Sequence, residues 1–243
     1  FIPVITFFLS CMLCGVGYVL GAYWRGNPLR HLFAFGAGMG NTGYFGFPLV
    51  VALLGKEALA IAVLFDLGIN LYQCSVGYFV AARGQASLLQ SFKRVGRLPV
   101  LPALFLGLLW NAANVPMPLP LDQLFEHFLS ALIVLGMMLI GMALAELNHS
   151  EWRPSYIVLS FLAKFILWPV VIIGLVALDR MFTHAFSPVA HSVMILLSLV
   201  PLAGNTVAYA AELKLYPSLA ATAVFLSTVF ALFYIPLVVA FIF

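Results

Sequence analysis

Two short stretches carry most of the chemistry this sequence offers. Residues 36–48 read GAGMGNTGYFGFP, with glycines at 36, 38, 40, 43 and 46, an amide at Asn41 and an imino acid at Pro48. Residues 201–206 read PLAGNT, so the Gly-Asn-Thr of 40–42 recurs at 204–206. Both stretches lie inside apolar runs long enough to cross a membrane, where such a composition is costly. Gly costs about 1 kcal/mol per helix position relative to Ala, and Pro about 3 kcal/mol. Pro48 has no N–H for the carbonyl of Tyr44 and drives Phe47 away from helical angles. Broken backbone inside a bilayer survives only where protein buries it or where it lines a wet cavity. Each break therefore predicts a site. A half-helix N-terminus exposes free N–H groups and a partial positive charge, which suits an anion. Asn41 and Asn205 can donate, accept and cap freed backbone groups. An amide in a span also serves simply to bond a neighbouring helix, worth about 0.6–2 kcal/mol. Its company of Gly and Pro at both places favours binding.

Ionisable residues within the spans are few. Lys164 lies mid-span in LSFLAKFILWPV. A central Lys costs about 2.5–3.5 kcal/mol on insertion scales and marks a functional position. It is suited to attract an anionic substrate or to pair with Asp66. Asp66, in VLFDLGINLYQ, shares a helical face with Asn70 at i+4 and Gln73 at i+7. That polar face must turn inward or toward water. Asp66 has two open readings, a titrating group that couples protons and a counter-charge for Lys164. Asp179, Glu212 and Lys214 lie near segment ends and read as interfacial, since such charges reach water easily. The histidines show no metal-ligand spacing, and His191 is only the polar start of a span. Cys11, Cys14 and Cys74 read as small packing residues rather than ligands or disulfides. No metal and no cofactor is expected. An intramembrane enzyme needs clustered acids, a Ser/Lys or Ser/His pair, or metal ligands. With Asp66 and Lys164 alone, an enzyme is not expected.

Membrane helices must position these residues. The 243 residues are 64% hydrophobic and 8% charged, with a mean hydropathy of +1.13, whereas a soluble domain is about 25% charged. The fold class that follows is an all-α integral membrane protein. The net charge of +3 resides in short loops, with no basic patch suited to nucleic acid. A spanning helix needs about 20 mostly apolar residues. Eight segments qualify, near 2–24, 32–54, 58–82, 98–115, 124–146, 154–178, 188–212 and 217–242. The connection 83–97, RGQASLLQSFKRVGR, is basic and reads as a surface helix. One set of alternate loops holds Arg25, Arg30, Arg83, Lys93, Arg94, Arg97, Arg153 and Lys214, while the other holds Lys56 and Arg180. The positive-inside rule then places loops 25–31, 83–97, 147–153 and 213–216 in the cytoplasm of a cell with this protein in its plasma membrane. Trp152 is suited to interfacial anchoring.

On that orientation, segment 32–54 runs outward and segment 188–212 runs inward. Each is followed by an alanine-rich segment, ALAIAVLF at 58–65 and LAATAVFL at 219–226. This ordered pair predicts an inverted repeat. Residues 98–243 make a complete second unit of five spans, and residues 1–82 hold the last three spans of the first. The chain opens FIPV inside an apolar run without the charged region of a signal peptide. An intact parent of ten spans, five plus five, is expected.

These residues resemble a known family. GNTGYFGFP at 40–48 is similar to the fourth-span signature of the auxin efflux carrier family, within the bile/arsenite/riboflavin transporter superfamily. KFILWP at 164–169 resembles a basic residue followed by Pro in the family's eighth span. Pro201, Asn205 and AAELKLYP at 210–217 resemble its ninth, and LAATAVFLSTVFALFYIPL at 219–237 its tenth. The resemblance covers the chain as spans three to ten. It implies inverted five-helix repeats in which two broken helices cross, with crossover residues Asn41, Gly43, Pro48, Pro201 and Asn205. It implies a secondary transporter of a small organic anion, a carboxylate such as malonate, malate or an auxin-like acid, working by alternating access. Lys164 would add positive potential for substrate, and Asp66 would serve coupling or charge balance. The short connection 83–97 points to a bacterial-type carrier in the inner membrane. A coupling ion, H+ or Na+, and a homodimer are the further partners implied. The alternative is an ion-coupled symporter of the sodium–bile acid type, which shares the crossover. Asn41 and Asn205 are expected side by side at mid-membrane.

Overall fold

Small and polar residues, together with Leu9 and Leu13, face inward along the first helix, and other large apolar ones face out. In α1 (Ile2–Leu20), Thr6, Ser10, Leu13, Cys14 and Gly17 are buried, while Val4, Phe8 and Met12 are exposed. This is the reverse of a soluble helix. Lipid tails accept large apolar side chains, and close helix packing in a membrane uses small residues. The computed structural model describes residues 1–145 and 153–242. Every element among them is helical.

The elements that position the breaks follow in chain order. They are α2 (Leu29–Ala37), a π-helical turn Thr42–Gly46, α3 (Phe47–Leu54), α4 (Leu59–Tyr72), a second π turn Gln73–Gly77 and α5 (Tyr78–Ala82). The connection forms α6 (Leu88–Gly96), capped by a reciprocal Ser87–Gln90 pair, as its surface-helix reading anticipates. Then come α7 (Val100–Ala112), α8 (Leu119–Ala145), α9 (Pro154–Leu162), a π turn Ala163–Leu167 and α10 (Trp168–Leu178). A π turn Asp179–Thr183, α11 (Pro188–Ser198), α12 (Asn205–Glu212) and α13 (Pro217–Ile242) complete the order.

Five of these stretches are long and apolar enough to cross a membrane: Ile2–Trp24, Leu29–Leu54, Lys56–Ala82, Pro154–Thr183 and Pro217–Phe241. The protein is thus a multi-pass helical membrane protein. The segments expected at 98–115 and 188–212 contain shorter apolar helices, Pro102–Ala112 and Pro188–Ser198. The segment expected at 124–146 falls largely in α8. Loop 147–153, apart from Arg153, and with it Trp152, lies outside the described residues.

α1 packs along α4. Gly68 makes this possible, because a Cβ there would run into the hydroxyl of Thr6 and the carbonyl of Pro3. The buried core has two large clusters and a small third one of Phe165, Leu199, Ala231 and Ile235. One large cluster holds Leu29 to Met39, Tyr72 to Ala82 and Leu202 to Val224; the other holds Val50 to Ile69, Trp168 to Val176 and Val193 to Val200. The breaks lie between them.

Candidate functional site

The first span breaks at the Gly and Asn of 38–41, and the second around Pro201 and Gly204. Pro48, expected to drive Phe47 from helical angles, instead lies within α3. Phe47 is helical there, at φ −61° and ψ −49°, because the preceding π turn makes room for the ring. Between α2 and the first π turn, residues 38–41 are not helical, and Asn41 has φ −78° and ψ 61°. Between α11 and α12, residues 199–204 are not helical. Pro48 falls in the first turn of α3, directly after a π turn, and Pro169 does the same in α10. A proline ring clashes with the carbonyl four residues back, and the wider π turn relieves that clash.

The two breaks touch. The backbone N–H of Asn41 donates to the carbonyl of Pro201 at 2.9 Å. α2 also touches α12, and α3 touches α11. The interrupted segments therefore lie side by side with opposite chain directions.

The loose backbone ends find partners in distant helices. Tyr72 Oη donates to the carbonyl of Phe35 at 3.0 Å, and Trp168 Nε1 donates to that of Ala37 at 2.8 Å. The Ala37 carbonyl is an orphan at the C-terminal end of α2, while that of Phe35 also accepts from the Gly38 N–H at 3.3 Å. On the other break, the N–H of Leu202 donates to Ser227 Oγ at 3.1 Å. The sequence reading missed Tyr72 and Trp168, since in a membrane helix both look like apolar bulk. Trp168→Phe leaves the Ala37 carbonyl buried without its partner. It is expected to cost about 1–3 kcal/mol of stability, read as a lowered midpoint of thermal unfolding; an unchanged midpoint would refute the cap.

One polar helix face serves both breaks. Asp66 accepts a short hydrogen bond from Thr42 Oγ1, just past the first break. Asn70 Nδ2 donates to Asp66 Oδ2 at 2.6 Å and to the Asp66 carbonyl at 3.1 Å. One turn further, Gln73 Oε1 accepts from Asn205 Nδ2 at 3.1 Å, and Gln73 Nε2 donates to Tyr209 Oη at 3.3 Å. The positions 66, 70 and 73 thus reach the first break at one end and the second at the other. The Asn41 amide side chain, nearly buried, has no partner among the described residues.

Several residues stand differently from the sequence reading. Lys164 does not pair with Asp66. It is 1% exposed, its Nζ lies against Gly40 and 4.5 Å from the ring centre of Trp168, and no carboxylate is bonded to it among the described residues. The reason is direction: Asp66 is held on the Thr42 side of the break by Asn70. Asp179 is not a solvated interfacial acid. It is buried, hydrogen-bonded to His191 Nε2 at 2.8 Å, and accepts from the N–H groups of Ala185 and Phe186 at 3.0 and 3.3 Å. The loop after the π turn folds back onto its carboxylate. Gly43 has open space where a side chain would be, so no close approach demands glycine there. Neither asparagine caps a helix end through its side chain: Asn41 makes no cap bond, and the Asn205 amide goes to Gln73.

Two broken helices thus cross in the buried interior with a carboxylate beside the first break. Residues 128–243 match the model of the Sodium Bile acid symporter family. An uncharacterized transporter of Methanothermobacter thermautotrophicus is 26% identical over 201 residues, covering 83% of this chain and 64% of that relative. The chain thus spans less than two thirds of that relative's length. An uncharacterized transporter of Methanocaldococcus jannaschii is 25% identical over 244 residues, covering 97% of this chain and 77% of the relative. The similarities are to transporters. The resemblance drawn to the auxin efflux carriers is corrected by the family match, since the sodium–bile acid symporters are a different family. The physical reason is plain. Gly, Asn and Pro at a membrane break follow from backbone chemistry, so any pair of crossing broken helices calls for them.

Proposed function

We propose that this chain forms the crossing region of a secondary transporter that carries a small organic anion together with sodium. The observation that carries the reading is the Asn41–Pro201 hydrogen bond, flanked by a polar face that reaches both breaks. Unwound carbonyls, a carboxylate and a hydroxyl suit a hard monovalent cation. Asp66, Thr42, Asn70 and the Gly40 carbonyl supply such oxygens. Thr42 Oγ1 stands 3.4 Å from the Gly40 carbonyl, so its O–H has a second acceptor when Asp66 turns to a cation. The Asn41 amide and the Asn205 amide face the organic anion, a carboxylate, whose charge the start of α12 favours. Pro201 keeps the second break open, and Pro48 sits in the first turn of α3 beyond the first. The match to the sodium–bile acid symporter model supports this symport reading over a sodium-free carrier.

The frame of the reading is an inverted pair of five-helix repeats, ten spans in the whole protein, with the crossing bundle rocking to give alternating access. Loops 25–31, 83–97 and 213–216 face the cytoplasm, and the plasma membrane is the location, on the loop-charge bias. A second reading, in which Asp66 carries a proton instead, draws on its place as the carboxylate at the first break. Uptake driven by a pH gradient in sodium-free vesicles would select it.

The deciding experiment is uptake by the full-length protein in proteoliposomes, with sodium or potassium outside. Carboxylate uptake is expected only with sodium. Asn205→Ala removes the bond to Gln73 and one anion donor, and is expected to lower uptake at least about ten-fold, the worth of one hydrogen bond to a charged group. Normal uptake in a normally expressed Asn205→Ala protein would remove the asparagine from the site.

A further inference from the structure

The connection after α5 forms a helix with three different faces. α6 starts a few residues beyond Ala82, the end of a stretch long and apolar enough to cross a membrane. It therefore lies at a membrane surface. Ser91 is buried and Val95 packs on the core, so positions i and i+4 turn to the protein. Phe92 meets Phe79 of α5 edge to face at 5.9 Å, which fixes the helix against the span. Leu88, Leu89 and Phe92 are nonetheless exposed on the next face. Lys93 and Arg97, again i and i+4, are exposed on the third. A helix with one apolar and one basic side lies in the interface plane, its apolar side among acyl chains.

Arg94 stands between the protein face and the basic face. Arg94 and Arg97 line an open pocket of about 350 Å³, walled also by Tyr78, Glu212 and Leu213. Glu212 accepts from Tyr78 Oη at 2.7 Å. Among the described residues no carboxylate is bonded to Lys93, Arg94 or Arg97. Two guanidiniums thus share the pocket with one carboxylate. A single further negative charge balances it. The guanidinium fork matches phosphate oxygens, and a phosphodiester carries one charge. The exposed apolar face of the same helix indicates what the phosphate is attached to. A water-soluble phosphate makes no use of Leu88, Leu89 and Phe92, whereas a phospholipid uses both sides. The choline of a zwitterionic lipid would add a cation where two already stand.

We propose that Arg94 and Arg97, with Lys93 beside them, bind the headgroup phosphate of an anionic phospholipid whose chains lie along Leu88, Leu89 and Phe92. The far wall of the pocket is the end of α12, the half-helix that follows the second break. A bound headgroup therefore ties α6 to the crossing region. The site goes beyond the transport reading and uses none of the residues assigned to it.

The test is thermal unfolding of the purified full-length protein in neutral detergent, titrated with phosphatidylglycerol or with phosphatidylcholine of the same chains. A saturable rise in unfolding midpoint is expected with phosphatidylglycerol, well above that with phosphatidylcholine. Arg94→Gln with Arg97→Gln is expected to raise the phosphatidylglycerol concentration for half the effect by about 25-fold, about five-fold for each basic side chain at an anionic surface. Both side chains are exposed, so the variant keeps its fold. Lys56→Gln, an exposed cation in the connection before α4, is expected to change nothing. Equal stabilisation by the two lipids overturns the proposal, as does an undiminished preference in the double variant. An equal loss in Lys56→Gln overturns it too, by showing attraction to net charge alone. Stabilisation by glycerol phosphate in place of lipid would assign the pocket to a soluble phosphate and overturn the lipid. A protein that prefers phosphatidylglycerol yet takes up no carboxylate with sodium keeps this site and loses the transport reading.

Discussion

Asp66→Asn is expected to weaken sodium-driven uptake by about 100-fold while leaving the protein folded. The substitution keeps the size of the side chain and leaves an oxygen to accept from Thr42. It removes the only charge that the polar face of α4 directs at the first break. A hydrogen bond or contact to a charged group is worth about 1.5–3 kcal/mol, and the upper figure corresponds to about two decades in affinity. The effect belongs in the sodium dependence: the sodium concentration for half-maximal uptake should rise, and the response to carboxylate at saturating sodium should change less. Asp66→Glu, with the charge moved outward by one methylene, should fall between. An Asp66→Asn protein with unchanged sodium dependence would show that the coupling ion binds elsewhere.

A large loss of stability is expected at Gly38. Its angles, φ −83° and ψ 3°, are ordinary for any residue, so alanine there meets no backbone strain. The obstacle is space. A Cβ at 38 would stand 2.5 Å from Tyr72 Cζ, 2.6 Å from its hydroxyl and 2.7 Å from the carbonyl oxygen of Ser10. Neither neighbour can yield cheaply. Ser10 contributes main chain from the middle of α1, and Tyr72 is fully buried and caps the Phe35 carbonyl. Overpacking of this kind costs about 1–3 kcal/mol, and displacing Tyr72 would add the loss of its hydrogen bond to the Phe35 carbonyl. Gly38→Ala should lower the thermal midpoint sharply, while Gly43→Ala, which meets nothing within 4 Å, should leave it near the wild-type value. Equal effects at the two positions would reject the steric account.

The contrast between these glycines shows how far composition reaches. Within GAGMGNTGYFGFP all five glycines look alike, because the string reports a local cost and no neighbour. Only the approach of α1 and α4 separates Gly38 from Gly43. The family assignment met the same boundary. Asn, Gly and Pro at 40–48 announced a break, and a break is common to every fold in which two such spans cross.

What the sequence determined by itself were the things set by local chemistry. The apolar runs predicted membrane helices, since their length and composition match the bilayer. Gly38, Gly40 and Asn41 marked the first break, at 38–41, and Pro201 and Gly204 the second, at 199–204, because backbone preferences act over a few residues. The spacing of Asp66, Asn70 and Gln73 announced one polar face, because helical periodicity is local too. Tertiary structure decided who meets whom. Asn41 donates to Pro201, Asn205 to Gln73 and Trp168 to Ala37, each across more than 100 residues of chain. It turned Asp66 toward Thr42 instead of Lys164, and drew Asp179 into the interior with His191. Such pairings depend on how one helix is rotated and shifted against another. That register is a property of the packed bundle, and no single helix carries it in its own residues.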